Sequence, residues 1–315
     1  MEVMKSYVCH KYGKPEVLKL TQSIKPRPTK GQLLIKVYAT SVTNSDIFIR
    51  SSKVGPGLLI PFRLMIGLTR PRRKIIGQVF AGQVEAVVDG DSAYKVGDKV
   101  YGLTGYSLGA YADYLCLAEQ NSKQGVVAPM PDNISYEQAT AAAYGGLLAL
   151  QFLDKRKISE GDKVLLYGSA STSGLVALQY LKHLGAEVTS VCSESKFPVV
   201  QSYGADKLID YRTDSSVEQL ESYHIVFDCV GKAKTSVLKK ELHKHHLDKN
   251  AFLSIDDEAL LLSTNRLLKI KKLVEEGVLT FTNDKVYPFD KMIEAHHYVE
   301  GGHKTGNVAV TVNEE

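Results

Sequence analysis

The sequence predicts an α/β protein in which a β-rich region, split between the two ends of the chain, flanks a doubly wound parallel sheet. Three observations carry this. Between 163 and 255 short apolar strands alternate with helical patterns, the spacing of a parallel sheet with right-handed crossovers. The first ~120 residues instead run as short β patterns broken by Gly, Pro and Asp turns, and the tail from 278 returns to β. At the centre, KVLLYGSASTSG (163–174) is a buried strand running into a small-residue loop and then a helix. At 315 residues the chain is long enough for two hydrophobic cores.

In chain order, 33–38 is strongly β-forming and 78–88 is a strand with a bend or bulge at Gly82. Val96-Gly-Asp-Lys-Val100 sets a Gly-Asp turn between strands, and 111–117 alternates as a further strand. Residues 51–74 read as a long, irregular, basic loop, a lid or a disordered segment. Ser135 and Gln138 form a capping box before 139–143, followed by Gly145-Gly146 and the apolar 147–153. Strand 163–167 leads to helix 175–184, strand 187–192 to helix 197–203, and strand 207–209 to helix 217–221. Strands 225–228 and 251–255 come next, then helix 265–276, closed by Gly277. The tail supplies a strand at 278–281, a helix at 290–299 and a strand at 307–312.

Composition is that of an ordinary soluble protein, 44% apolar and 23% charged, with a formal net charge of +4. The densest basic cluster, Arg70-Pro-Arg-Arg-Lys74, reads as a solvated loop or as an anion-binding loop near a cofactor, and no nucleic-acid partner is expected. Cys9, Cys116, Cys192 and Cys229 are far apart with no CxxC pair, so neither a disulfide framework nor a zinc knuckle is expected. His243, His245 and His246 fall among lysines and read as an exposed helix end, not a metal site. With no apolar stretch near membrane-spanning length and no signal-peptide pattern, no membrane association and a cytoplasmic location are expected.

The 163–174 stretch suits a dinucleotide pyrophosphate, bound by free N–H groups at the helix N-terminus. Gly168, Ser169, Ala170, Ser171, Thr172 and Gly174 are the candidate cofactor residues, with Ser171 where a third glycine is usual. A serine there carries a steric cost if the position needs positive φ. The next strand ends at Ser193 and Lys196 instead of an acid placed for a ribose 2′-hydroxyl, which favours a 2′-phosphate and hence NADP(H). Glu194 argues against this unless it points away, and Lys196 also reads as an ordinary surface lysine.

Several motifs occur together and in order: Ser41-Val-Thr-Asn-Ser-Asp46, GQVFAGQVEAV from Gly77, Val96-Gly-Asp-Lys-Val100, Gly109-Ala-Tyr-Ala-Asp113, Gly145-Gly146, Tyr203-Gly-Ala-Asp206, Phe227-Asp-Cys-Val-Gly231 and Gly302-His-Lys-Thr-Gly-Asn307. In these the chain resembles the zinc-independent, quinone-oxidoreductase-like branch of the medium-chain dehydrogenases/reductases. The resemblance implies a GroES-like catalytic domain of 1–125 with 286–315, a Rossmann domain of 126–285, and an active cleft between them. It also makes Tyr211, Val230, Gly231 and Asn307 cofactor-binding candidates.

In zinc-using relatives a Cys stands where this chain has Asn44 and a His-Glu pair where it has Gln78-Val79; Asn and Gln are poor zinc ligands, so no metal is expected. Without a Lewis acid, quinones, enones and enals become the expected substrates. Asn44 and Asp46 are the catalytic candidates, in the loop that meets the nicotinamide in similar enzymes. Asn44 would donate to the carbonyl oxygen and Asp46 would fix the loop; the pair also reads as plain turn-stabilisers. A proton would come from water, Tyr106 or Tyr111.

Departures from the relatives are Ser171, Leu148 for a threonine, Val79 for an acid, and no room for a sixth strand between 255 and 265. The last leaves the family's homodimer open. Together they motivate a second reading, a non-catalytic NADPH-binding regulatory or partner-binding protein.

Overall fold

The computed structural model describes residues 1–54, 57, 59–88, 90–120, 122–231, 236–245 and 251–314. A hairpin that sequence reading did not mark opens the chain: β1 (Val3–Cys9) pairs antiparallel with β2 (Leu18–Ile24). There follow β3 (Gln32–Ser41), α1 (Asn44–Ser51), α2 (Leu59–Ile66), β4 (Val79–Val87), β5 (Lys99–Leu103), β6 (Tyr114–Ala118), β7 (Val126–Pro129) and α3 (Tyr136–Ala141). After α4 (Leu147–Leu153) come β8 (Lys163–Tyr167), α5 (Thr172–His183), β9 (Glu187–Cys192), α6 (Phe197–Ser202), β10 (Lys207–Asp210), β11 (Ile225–Asp228), α7 (Val237–His245) and β12 (Phe252–Ser254). The chain ends with α8 (Thr264–Glu275), β13 (Asn283–Pro288), α9 (Met292–Glu300) and β14 (Asn307–Thr311).

Two compact units result. One takes Met1–Tyr144, Leu262–Glu275 and Phe281–Glu315; the other takes Gly145–Leu261 and Glu276–Thr280. The expected boundaries at 125/126 and 285/286 therefore differ from the divisions seen, because α3 and α8 pack on strands of the first unit.

In the first unit a seven-stranded sheet runs β13-β14-β3-β4-β5-β7, with β6 also on β3. Strand β3 is its hub: Gln32 to Lys36 pair with β6, and Ala39 to Ser41 with β14. Its inward Leu33, Ile35 and Val37 are fully buried against Phe80, Val100 and Leu117. The bulge expected at Gly82 lies across from it, where the register slips between Val37 and Ala39. Gly82 is needed for close approach, since a Cβ there would stand 2.1 Å from the Lys36 carbonyl oxygen.

The second unit is built on a five-stranded parallel sheet in the order β10-β9-β8-β11-β12. Among the described residues no strand joins this sheet after β12, in keeping with the shortened sheet that the sequence predicts. Gln151 holds the next segment: its amide donates to the Ala259 carbonyl at 3.0 Å and accepts from the Leu261 N–H at 2.7 Å. Those backbone groups thus find side-chain partners without strand pairing.

Four element predictions need correction. The 51–74 loop contains α2, with Phe62 and Ile66 on the core. Residues 217–221 are not a helix; a short 3-10 turn, Asp214–Ser216, stands just before them, five residues being too few to nucleate an α-helix without help. The 278–281 strand is absent: Thr280 gives its N–H to Gln179 Oε1 at 2.8 Å and accepts from Gln179 Nε2 at 3.1 Å. The strand predicted at 111–117 begins at Tyr114.

Candidate functional site: a dinucleotide turn and a capped helix

In the parallel-sheet unit, β8 delivers Gly168 at its carboxyl end with φ +79°, and a Cβ there would meet Val230 Cγ2 at 2.3 Å. The Gly168 N–H donates to the Val191 carbonyl at 2.9 Å, which pins the turn to β9. Ser171 is the N-cap of α5, at φ −78° and ψ 168°, and its hydroxyl accepts from the Gly174 N–H at 3.0 Å. The steric cost feared for a serine here does not arise, because the position is ordinary extended backbone. Gly174 is required for packing: a Cβ would lie 2.4 Å from the Gly168 carbonyl oxygen. Gly145 approaches the same loop, its would-be Cβ 2.8 Å from the Thr172 carbonyl oxygen. A turn this tight brings backbone, not side chains, to the start of a helix whose first N–H groups are unpaired within the helix.

At the end of β9, Ser193 leads into a 3-10 turn, Glu194–Lys196, where the Ser193 and Ser195 hydroxyls lie 3.3 Å apart. Asp210, at the end of β10, organises this edge. Its carboxylate accepts the Glu194 N–H at 3.0 Å and the Arg212 guanidinium through Nε at 2.9 Å and Nη2 at 2.5 Å. Arg212 beside it holds the Asp210 carboxyl down to about 2. Arg212 was missed from the sequence; the signal was Asp-Tyr-Arg at a strand end one strand along from Ser193. Tyr211 is partly exposed, its ring 6.2 Å from that of Tyr167.

The third strand end, at β11, is tied by a buried ion pair. Asp228 accepts the N–H groups of Val230 at 3.0 Å and Gly231 at 3.2 Å, and the Lys239 ammonium. Lys239 also donates to the Gly231 carbonyl at 2.7 Å. The candidates Val230 and Gly231 are thereby held as a fixed turn against Gly168. Ser169, Ala170 and Thr172 sit in the first turn with little exposure, and Leu148 is buried.

In the β unit, Asn44 and Asp46 occupy the first turn of α1, not a loop. Thr43 and Asp46 form a capping box: the Thr43 hydroxyl accepts the Asp46 N–H at 3.2 Å, and the Asp46 carboxylate accepts the Thr43 N–H at 2.9 Å. Asp46 is fully buried, and burial raises its carboxyl to about 6 against the lowering effect of the Thr43 bonds. Asn44 beside it is exposed. Tyr111 is fully buried, its phenol pushed up by burial and then by Asp46, whereas Tyr106 is 48% exposed. Asn307 is buried; its Nδ2 donates to Thr140 Oγ1 at 3.0 Å and Asn283 Oδ1 at 2.8 Å. Both amide hydrogens are spent joining β14 to α3 and β13, so only its carbonyl oxygen is left for a ligand. Among the described residues no group of three His, Cys, Asp or Glu could hold a metal ion, and no helix is long and apolar enough to cross a membrane. The histidine cluster His243, His245 and His246 lies outside the described side chains.

A glycine turn at the switch of a parallel sheet, on a chain that also builds a β unit from both its ends, defines the class of two-domain dehydrogenases. Residues 29–132 match the alcohol dehydrogenase GroES-like domain, and 203–310 match the zinc-binding dehydrogenase domain. An NADPH-dependent alkenal/one oxidoreductase of Arabidopsis thaliana chloroplasts is 28% identical over 321 residues, 98% of this chain and 79% of that protein. The human quinone oxidoreductase is 25% identical over 344 residues, 98% of this chain and 97% of that one. The solved quinone oxidoreductase of Coxiella burnetii superposes with a TM-score of 0.81 at 24% identity, over 99% of this chain and all of that one, a likeness of fold. The chain belongs to the medium-chain dehydrogenase/reductase family, in its quinone-oxidoreductase-like group.

Proposed function

We propose that this protein is an NADPH-dependent, zinc-independent reductase of quinones and α,β-unsaturated carbonyls. The observation that carries the reading is the Gly168–Gly174 turn with Ser171 capping α5, joined at the neighbouring strand ends by Ser193, Lys196 and the Asp210-ordered Arg212. NADPH, when bound, supplies the hydride. The turn would hold the pyrophosphate on backbone N–H groups, and Lys196 and Arg212 would hold the 2′-phosphate. Asn44 donates its amide N–H to the substrate carbonyl oxygen, where charge develops. Asp46 cannot touch substrate; it sets the helix turn that presents Asn44. Tyr111 is buried against Asp46 and belongs to the same support, which leaves Tyr106 or water as the proton source. Relatives named alkenal/one and quinone oxidoreductases support the substrate class, and the named NADPH dependence of one supports the cofactor. Asn44, Gln78 and Val79 make a poor zinc site, and this supports metal-free turnover.

The test titrates NADPH and NADH by thermal shift, then follows NADPH oxidation with quinone and enone panels in the presence of a chelator. Lys196→Ala and Arg212→Ala should each weaken NADPH roughly tenfold, as loss of a charge-assisted bond does, and leave NADH nearly unchanged. Equal losses on both cofactors would sink the 2′-phosphate assignment. Tight NADPH binding without turnover on any panel would instead favour a non-catalytic NADPH-binding protein, a reading that the missing hydroxyl at Leu148 keeps in view.

A further inference from the structure

Helix α2 has two apolar faces. Phe62 and Ile66 point inward and pack on the core shared by Tyr7, Ile47 and Ile76. The outer face carries Ile60 at 72% exposure, Leu64 at 56% and Met65 at 50%, and Leu68 just beyond the helix is 63% exposed. None of the eight residues of α2 is fully buried. Such a run of exposed aliphatic side chains on a single helix is unusual for a surface that meets only water.

The chemistry of the adjoining chain narrows what could cover it. Arg70-Pro-Arg-Arg-Lys74 follows directly, with Arg70, Arg72, Arg73 and Lys74 exposed and in no ion pair among the described residues. This arm folds back on the helix: the Arg72 N–H donates to the Ile66 carbonyl at 2.7 Å, and its guanidinium to the Leu64 carbonyl at 2.6 Å. From 47 to 84 the sequence has seven Lys or Arg and no Asp or Glu; Arg50, which is buried, and Lys53 pair with Glu300, which leaves Arg63 and the four cations of the arm, Arg70, Arg72, Arg73 and Lys74. A second copy of the same face would set cations against cations with nothing to neutralise them. A nucleic acid would pair the arginines but leave the aliphatic row wet. An anionic bilayer satisfies both, taking the apolar side chains into the acyl boundary and the cations at the headgroups.

We propose that α2 and the 70–74 arm dock this protein peripherally on an anionic membrane surface. The surface stands independently of the reductase reading and needs no spanning segment.

The experiment is co-sedimentation of the full chain with phosphatidylcholine vesicles, with and without phosphatidylserine, alongside gel filtration without lipid. Wild type should pellet with the phosphatidylserine vesicles and remain in solution with phosphatidylcholine alone. Ile60→Ser/Leu64→Ser and Arg70→Gln/Arg73→Gln should each lower vesicle affinity by roughly tenfold or more, since both signals are needed, and added salt should release the wild type. Unchanged thermal unfolding of both variants shows that the fold is intact. Protein that never pellets, that pellets equally with neutral vesicles, or whose variants bind as well as wild type overturns the proposal. So does a lipid-free dimer that the Ile60→Ser/Leu64→Ser variant dissolves, which would assign the face to a second copy.

Discussion

Ser171 closes the first turn of α5 with its own side chain, and its φ of −78° is one that any residue adopts. A glycine there would give the backbone more freedom but no cap. Ser171→Ala should therefore cost ~1 kcal/mol, and Ser171→Gly only a few tenths, measured by urea unfolding. A larger loss for glycine than for alanine would show that the cap carries no weight. Asp46 is the second residue whose environment decides its behaviour. Its carboxyl titrates near 6 in the folded state and near 3.8 when unfolded, because burial disfavours the charge. The folded state then holds the proton more tightly, so this contribution is full below pH 3.8 and lost as pH rises through about 6. The stability of wild type relative to Asp46→Asn should fall by ~2 kcal/mol between pH 4 and pH 7. A flat difference across that range would mean that the carboxyl is not buried as described.

At the scale of elements, the turn after β11 shows how the candidate cofactor site is held. Asp228 is buried with two backbone N–H groups, the Ser254 hydroxyl and Lys239 around it. Breaking one side of such a pair strands the other charge. Lys239→Met should destabilise by ~3–5 kcal/mol and weaken NADPH through the Val230-Gly231 turn, read by thermal unfolding and cofactor titration. Retained stability would show the pair to be dispensable. Lys239 was not legible as a partner, since nothing in the sequence says that α7 brings it to the end of β11. Strands β8, β9 and β11 were legible to the residue, being apolar runs bounded by turn residues. Helix α1 was missed although Thr43 and Asp46 spell a capping box, because the motif was read as a ligand-facing loop. The 278–281 strand failed for a different reason: β propensity cannot reveal that Gln179 has already taken the backbone groups of Thr280. Arg212 became visible only once Asp210 was seen to gather it with the Glu194 turn.

On the scale of the whole molecule, the chain passes between its two units several times, and each unit keeps a core of its own. The exposed α2 face shows the limit of composition: hydropathy windows look for spans, and an eight-residue, mostly apolar helix beside a basic arm falls below that threshold. The two-unit arrangement also makes the cofactor assignment testable without any turnover. If the dinucleotide sits on the strand ends of the parallel sheet, its binding energy appears first there. At about 100 times its dissociation constant NADPH stabilises the state that binds it by ~2.7 kcal/mol. Hydrogen exchange should then slow most in 168–175, 193–197 and 228–231, the three strand-end turns. The β1–β2 hairpin, which carries no candidate cofactor residue, should change least. Ser171→Ala should leave that pattern in place while lowering its amplitude in the first turn of α5. Protection spread evenly over both units, or centred on the hairpin, would place the nucleotide elsewhere and remove the assignment of Gly168, Ser171, Lys196 and Gly231 together.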